Sequence, residues 1–237
     1  MNVVHRLARR LSSRAREKRG QIFRQSFELG PDTKIIDLGC GDGSNLAKIL
    51  EDTAIRPENV YVADIGSHVV RVAGRYGFNP VRLSESGKVP FGDSFFDIVF
   101  CSSVIEHVTL PKSEVWGLYN GREFRERARS RQVEFAAEIR RIGRQYFVQT
   151  PNKWFLVESH TWLPFLGWLP RRLLLPLLKI SNRIWVKQSA PDWRLLTKKD
   201  MRELFPEAKL VAERTPIGDK SIMAVKSDDH SKILPAD

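Results

Sequence analysis

Two cysteines and five histidines in 237 residues are too few for a disulfide framework. Cys40 and Cys101 both sit inside apolar stretches rather than at ligand spacings. A cysteine-based zinc centre is therefore excluded, no metal site is expected, and both thiols read as packing residues of a protein in a reducing compartment, cytoplasmic by default. Long hydrophobic runs are also missing. The most apolar stretch, 161–180, is interrupted by Arg171, Arg172 and three prolines, which excludes a membrane-spanning helix. The first twenty residues lack the apolar core of roughly 7 to 15 residues that a secretory signal needs, although their Arg-rich, Ser-bearing character leaves an organellar transit segment open.

Acidic residues are scarce, with 28 Asp and Glu against 39 Lys and Arg, a net charge of +11. Such a balance points to an anionic partner, whether nucleic acid, phosphorylated substrate or membrane surface, and is silent on fold. The surplus is not uniform. Between residues 31 and 110 the carboxylates outnumber the cations by 11 to 7, so the excess lies in residues 1–30 and 111–200. Hydrophobic residues at 42% and charged residues at 28% are an ordinary globular mixture, and the length fits one α/β domain with extensions.

Inside the acidic segment, short apolar runs, Gly or Asp turns and helix-like stretches repeat, as consecutive βαβ units do. Strands are expected at 34–38, 60–64, 80–83, 96–101 and 145–149, and helices at 44–51, 69–76 and 126–142. After an irregular insertion, a Thr-capped helix at 197–205 precedes a terminal strand pair at 210–214 and 221–226. The expected fold is a Rossmann-like, seven-stranded, mostly parallel sheet with helices on both faces and an antiparallel terminal strand. A basic N-terminal helix (1–30) and a Trp-rich insertion (151–196) would elaborate a domain spanning 31–237.

The sharpest motif is the run Ile35-Ile36-Asp37-Leu38-Gly39-Cys40-Gly41-Asp42-Gly43. A strand ending in a glycine loop lets a nucleotide-like ligand approach the backbone without meeting a Cβ. The spacing is G-x-G-x-G rather than G-x-G-x-x-G, and Asp37 precedes it by two residues. A carboxylate there suits a cationic amino-acid ligand and repels a pyrophosphate.

These residues resemble the class I S-adenosylmethionine-dependent methyltransferases, whose first motif is D-x-G-x-G-x-G. The likeness extends to Val62-Ala63-Asp64-Ile65, to the Val89-to-Val99 stretch VPFGDSFFDIV, and to Ser103-Val104-Ile105-Glu106-His107-Val108, which resemble the ubiquinone and menaquinone biosynthesis subgroup. The resemblance implies S-adenosylmethionine as cofactor. It implies contacts from Asp37, Gly39, Cys40, Gly41 and Gly43, a ribose-binding Asp64, an adenine-facing Ile65, and further contacts from Glu85, Ser86 and Ser102. Glu85 stands where many relatives carry Asp. His107 and His160, both beyond strands on the ligand edge, are the candidate catalytic residues if the acceptor must lose a proton.

Five of the six tryptophans, Trp154, Trp162, Trp168, Trp185 and Trp193, lie in the basic insertion, a mixture that suits either a lid over an acceptor pocket or a membrane interface. The N-terminal segment reads as a basic amphipathic helix, so membrane contact is expected through 1–20 and 154–187. The favoured expectation is methyl transfer by in-line displacement to a small-molecule or lipid-linked acceptor. An RNA methyltransferase, suggested by the Arg-rich run at 121–131, and a non-catalytic S-adenosylmethionine-binding protein are the alternatives.

Overall fold

The computed structural model describes residues 3–67, 71, 74–84, 87–185 and 187–229. Seven strands form one sheet: β1 (Ile35–Leu38), β2 (Val60–Asp64), β3 (Asn79–Arg82), β4 (Phe96–Ser102), β5 (Gly143–Pro151), β6 (Lys209–Thr215) and β7 (Gly218–Lys226). Their order is β3-β2-β1-β4-β5-β7-β6. All neighbours pair in parallel except β7, which runs antiparallel to both β5 and β6. The expected architecture is the observed one.

Side chains alternate across the strands, so each face of the sheet carries its own core. Ile35, Ile98 and Phe100 face one layer, where they meet Ile22 and Phe23 of helix α1 (Val3–Ser26) and Leu46 and Ile49 of α2 (Ser44–Leu50). Ile36, Leu38, Val99 and Cys101 face the other, against Phe135 and Ile139 of α3 (Gly121–Ile142) and Met201 and Leu204 of α5 (Lys198–Leu204). The second half of α1 is thus part of the sheet's packing: the Phe23 ring stands edge-on to Phe100 and Phe147 at 5.2 and 5.6 Å.

Two elements differ from their expected form. Helix α3 starts at Gly121, five residues before 126, because the Asn120 side chain accepts from the amides of Arg122 and Glu123 and opens the helix there. The insertion is not irregular throughout: it holds α4 (Arg171–Ile184), which contains Pro176 and buries Leu174, Leu175 and Leu178. Half of the helix expected at 69–76 lies outside the described residues; within its span, Gly74–Tyr76 form one 3₁₀ turn.

Candidate functional site

The sheet's carboxyl edge gathers the singled-out residues on the two sides of β4. On one side, β1 ends at Leu38 and the chain turns through Gly39, Gly41 and Gly43 with φ of 75°, 58° and 74°. A Cβ on Gly39 would stand 2.4 Å from Val104, so only glycine lets the loop after β4 close onto this turn. At Gly41 nothing lies within 4 Å of a Cβ position, so the backbone there lines an open cradle.

Asp64 closes the cradle from the end of β2. Its Oδ1 accepts from the Gly66 amide at 2.9 Å and its Oδ2 from the Gly41 amide at 3.4 Å. Ile65 beside it is 54% exposed, an apolar platform at the rim. Asp37 is buried at the end of β1, where burial, reinforced by the Asp64 charge, pushes its carboxyl up to about 8. Asp64 thus presents a carboxylate to the cradle, with Asp37 buried close enough to feel its charge. The side chain of Cys40 is buried and its thiol is pushed up to about 12, first by desolvation and then by Asp37, so that residue offers backbone alone. Ser102 ends β4, and its hydroxyl donates to Gln149 Oε1 at 2.8 Å. Glu85 and Ser86 lie outside the described residues.

On the other side of β4, a cavity of about 850 Å³ opens. Its lining includes Ser103, Glu106, His107 and His160, the apolar Phe155, Val157, Trp162, Trp185 and Leu195, and the charged Arg14, Lys187, Arg214, Lys220, Glu158 and Glu213. His107 sits on the 3₁₀ turn after β4, and His160 in the loop after β5. The structure brings the two rings together, with centroids 4.6 Å apart and planes nearly perpendicular. His160 also stacks on Trp193 at 5.4 Å.

Each histidine is oriented by a carboxylate that sequence reasoning did not single out. His107 Nδ1 lies 3.3 Å from Asp192 Oδ1, and His160 Nδ1 lies 2.5 Å from Glu158 Oε1. Glu158 is further held by the Thr161 amide and hydroxyl on its other oxygen. Burial disfavours charge on His107, but the Asp192 hydrogen bond and the Glu106 charge outweigh it and raise its pKa above the ordinary histidine value. Burial likewise acts upward on Glu158, yet its bonds to His160 and Thr161 hold its carboxyl below the usual range. Glu106 is fully buried; Thr150 donates to its Oε2 at 3.0 Å, and its Oε1 has no hydrogen-bond partner among the described residues. The spacing of Glu158 two residues before His160 is a local signal that could have found that pair, whereas Asp192 reaches His107 only through the fold.

Comparison with known proteins bears on the domain and the fold. A methyltransferase domain family model matches residues 36–118. Among solved structures, the chain is similar to one in a complex of the Haloferax volcanii Trm112 methyltransferase activator with its proposed methyltransferase, at 14% identity and a TM-score of 0.55 over 94% of both chains. It is also similar to an S-adenosylmethionine-dependent methyltransferase from Archaeoglobus fulgidus, at 13% identity and a TM-score of 0.50 over 89% of this chain and 94% of that one. At these identities the likeness concerns the fold. No curated protein sequence matches the chain.

Proposed function

The chain carries a methyltransferase domain of the class I S-adenosylmethionine-dependent type at residues 36–118, and on that premise we propose that it methylates an amphiphilic, lipid-linked acceptor drawn from a membrane surface. We assign Asp37 and the backbone of Gly39, Cys40, Gly41 and Gly43 to the amino-acid end of the cofactor, Asp64 to its ribose hydroxyls, and Ile65 to its adenine. Ser102 flanks this group, and the resemblance adds Glu85 and Ser86. S-adenosylmethionine supplies a methyl group on a sulfonium, a good leaving group, so the protein's task is to hold the nucleophile in line with the methyl carbon. The apolar lining of the cavity holds the acceptor's body, its cations hold an anionic group, and His107 and His160 act on the reacting atom.

The observation that carries this acceptor class is the outer face of α4. Leu173, Leu177, Ile180 and Ile184 are 55%, 43%, 55% and 80% exposed, and at 3.6 residues per turn they fall on one narrow stripe. Arg172, Lys179 and Arg183 flank that stripe along one edge, as cations do beside an apolar face lying at headgroup depth. Exposed Phe165 and Trp168 stand just ahead of the helix, and the Trp168 indole donates to Lys153 O, beside exposed Trp154. At the other end of the helix Trp185 enters the cavity wall, so the stripe leads to the acceptor site. A contiguous exposed apolar stripe bordered by positive charge fits an anionic bilayer surface. Among the described residues no helix is long and apolar enough to cross the membrane.

The RNA reading fares worse on the same surface. Two arginines of the 121–131 run are engaged within the protein, Arg127 with Glu114 and Glu123 and Arg129 with Asp200 and Glu203, as is Arg140 with Glu207. Charges already paired offer a weakened grip on phosphates.

Flotation on vesicles containing anionic phospholipid tests the proposal. The protein should rise with the vesicles, and the Leu177→Ser, Ile180→Ser double variant should stay behind with an unchanged melting temperature, since neither side chain is part of the core. Absence of flotation, or equal flotation of the variant, would contradict it.

A further inference from the structure

Glu106, His107 and His160 offer ligand atoms that all lie within 4.8 Å of one another in the cavity lining. Three features set this cluster apart from an ordinary buried polar network. The first is Glu106 Oε1, a fully buried carboxyl oxygen with no hydrogen-bond partner among the described residues, in a protein interior where an unsatisfied polar atom is costly. The second is the orientation of the histidines: each has a carboxylate at Nδ1, Asp192 for His107 and Glu158 for His160, so a neutral ring whose proton lies at that nitrogen offers Nε2 as its ligand atom. Carboxylate–histidine pairs of this kind fix the tautomer and raise the basicity of metal-binding imidazoles. The third is distance. His160 Nε2 and Glu106 Oε1 are 3.9 Å apart, too far for a hydrogen bond and within the span of two atoms that share one ion at about 2.1 Å each.

We propose that Glu106, His107 and His160 form a site for a divalent transition-metal ion, Zn²⁺ or Mn²⁺ in class. Two imidazoles and one carboxylate are a borderline donor set for such ions, and three protein ligands leave a coordination position open, as in catalytic rather than structural sites. The ligand atoms, all within 4.8 Å of one another, close by up to about 1.4 Å to reach the roughly 3.4 Å separation of tetrahedral ligands at about 2.1 Å from one ion. Each ligand already has its outer partner: Asp192 and Glu158 on the imidazoles, and Thr150 on the second oxygen of Glu106. The open position faces the cavity, which also takes in Ser103.

The role of the ion rests on the cavity being the acceptor's. An acceptor hydroxyl bound at the open position loses its proton to water at lower pH than when free. The oxygen lone pair then forms the bond to the methyl carbon while the carbon–sulfur pair returns to sulfur, and the ion keeps its oxidation state throughout. His107 and His160 thereby act on the acceptor as ligands of its activating ion.

Metal analysis of the full-length protein tests the site. Protein stripped with a chelator, incubated with Zn²⁺ or Mn²⁺ alone and passed through a desalting column should retain about one ion per chain. Glu106→Gln and His160→Ala should each weaken retention by about 100-fold or more, and Glu158→Gln, which alters only the outer partner, by about 10- to 100-fold. Titration of S-adenosylmethionine into the same samples checks that the variants are folded and reports separately on the cofactor assignment. Failure of the unmodified protein to retain an ion, or equal retention by Glu106→Gln and His160→Ala variants that still bind S-adenosylmethionine, would overturn the proposal.

Discussion

Asp37 combines two properties that are rarely found together, complete burial and a second carboxylate facing the same cradle. Its carboxyl is pushed up to about 8 from the ordinary 3.8, by desolvation first and by Asp64 second. The folded protein therefore favours the protonated form: the contribution to stability is complete below the ordinary value, falls as pH rises toward about 8, and is flat above that. A cationic ligand in the cradle reverses the preference and expels the proton. Affinity for S-adenosylmethionine should accordingly rise with pH by up to about tenfold per unit until about pH 8 and then level off, with protons released on binding. Calorimetry in buffers of different ionisation enthalpy checks this. The Asp37→Asn variant should show neither the slope nor the release, and a pH-independent affinity in the unmodified protein would place the carboxylate outside the cofactor site.

Helix α4 depends on one residue at its start. The Arg171 guanidinium is buried, donates to the carbonyls of Leu118, Pro191 and Val115, and lies 3.7 Å over the Phe124 ring. Burial lowers its pKa to about 10, which leaves it charged at neutral pH. It ties α4 to the loop before α3 and to the segment that carries Asp192. Arg171→Leu strands three buried carbonyls and should cost about 3 kcal/mol, read as a lowered melting temperature and faster proteolysis within 151–196. Unaltered proteolysis would mean that the insertion is held elsewhere.

This helix also marks where the sequence ceased to be legible. The strands and the glycine loop announce themselves through short, near-continuous apolar runs and through glycines whose positive φ the turn requires. Cofactor-side residues cluster for the same reason, since they sit on consecutive strand ends. Helix α4 has apolar residues on two faces, one buried and one exposed, together with an internal proline, so its periodicity is blurred. On the acceptor side His107 and His160 were recognisable from their places after β4 and β5, but their partners were not. Asp192 comes from the far end of the insertion, and the isolation of Glu106 Oε1 is a property of packing alone.

At the scale of the whole molecule, the charge of +11 is divided by function. Carboxylates dominate residues 31–110, which hold the glycine cradle, and basic residues gather in α1, around the cavity and along α4. Four of the seven arginines of α3, Arg127, Arg129, Arg140 and Arg141, are held in internal ion pairs. Basic residues also border the exposed apolar stripe of α4 and line the cavity, and the proposed function puts a membrane surface and the acceptor there. The most direct measurement is transfer of a labelled methyl group from S-adenosylmethionine into a membrane-containing cell extract, followed by separation of lipid, RNA and water-soluble fractions. The account predicts label in the lipid fraction; label confined to RNA or to water-soluble compounds would contradict it.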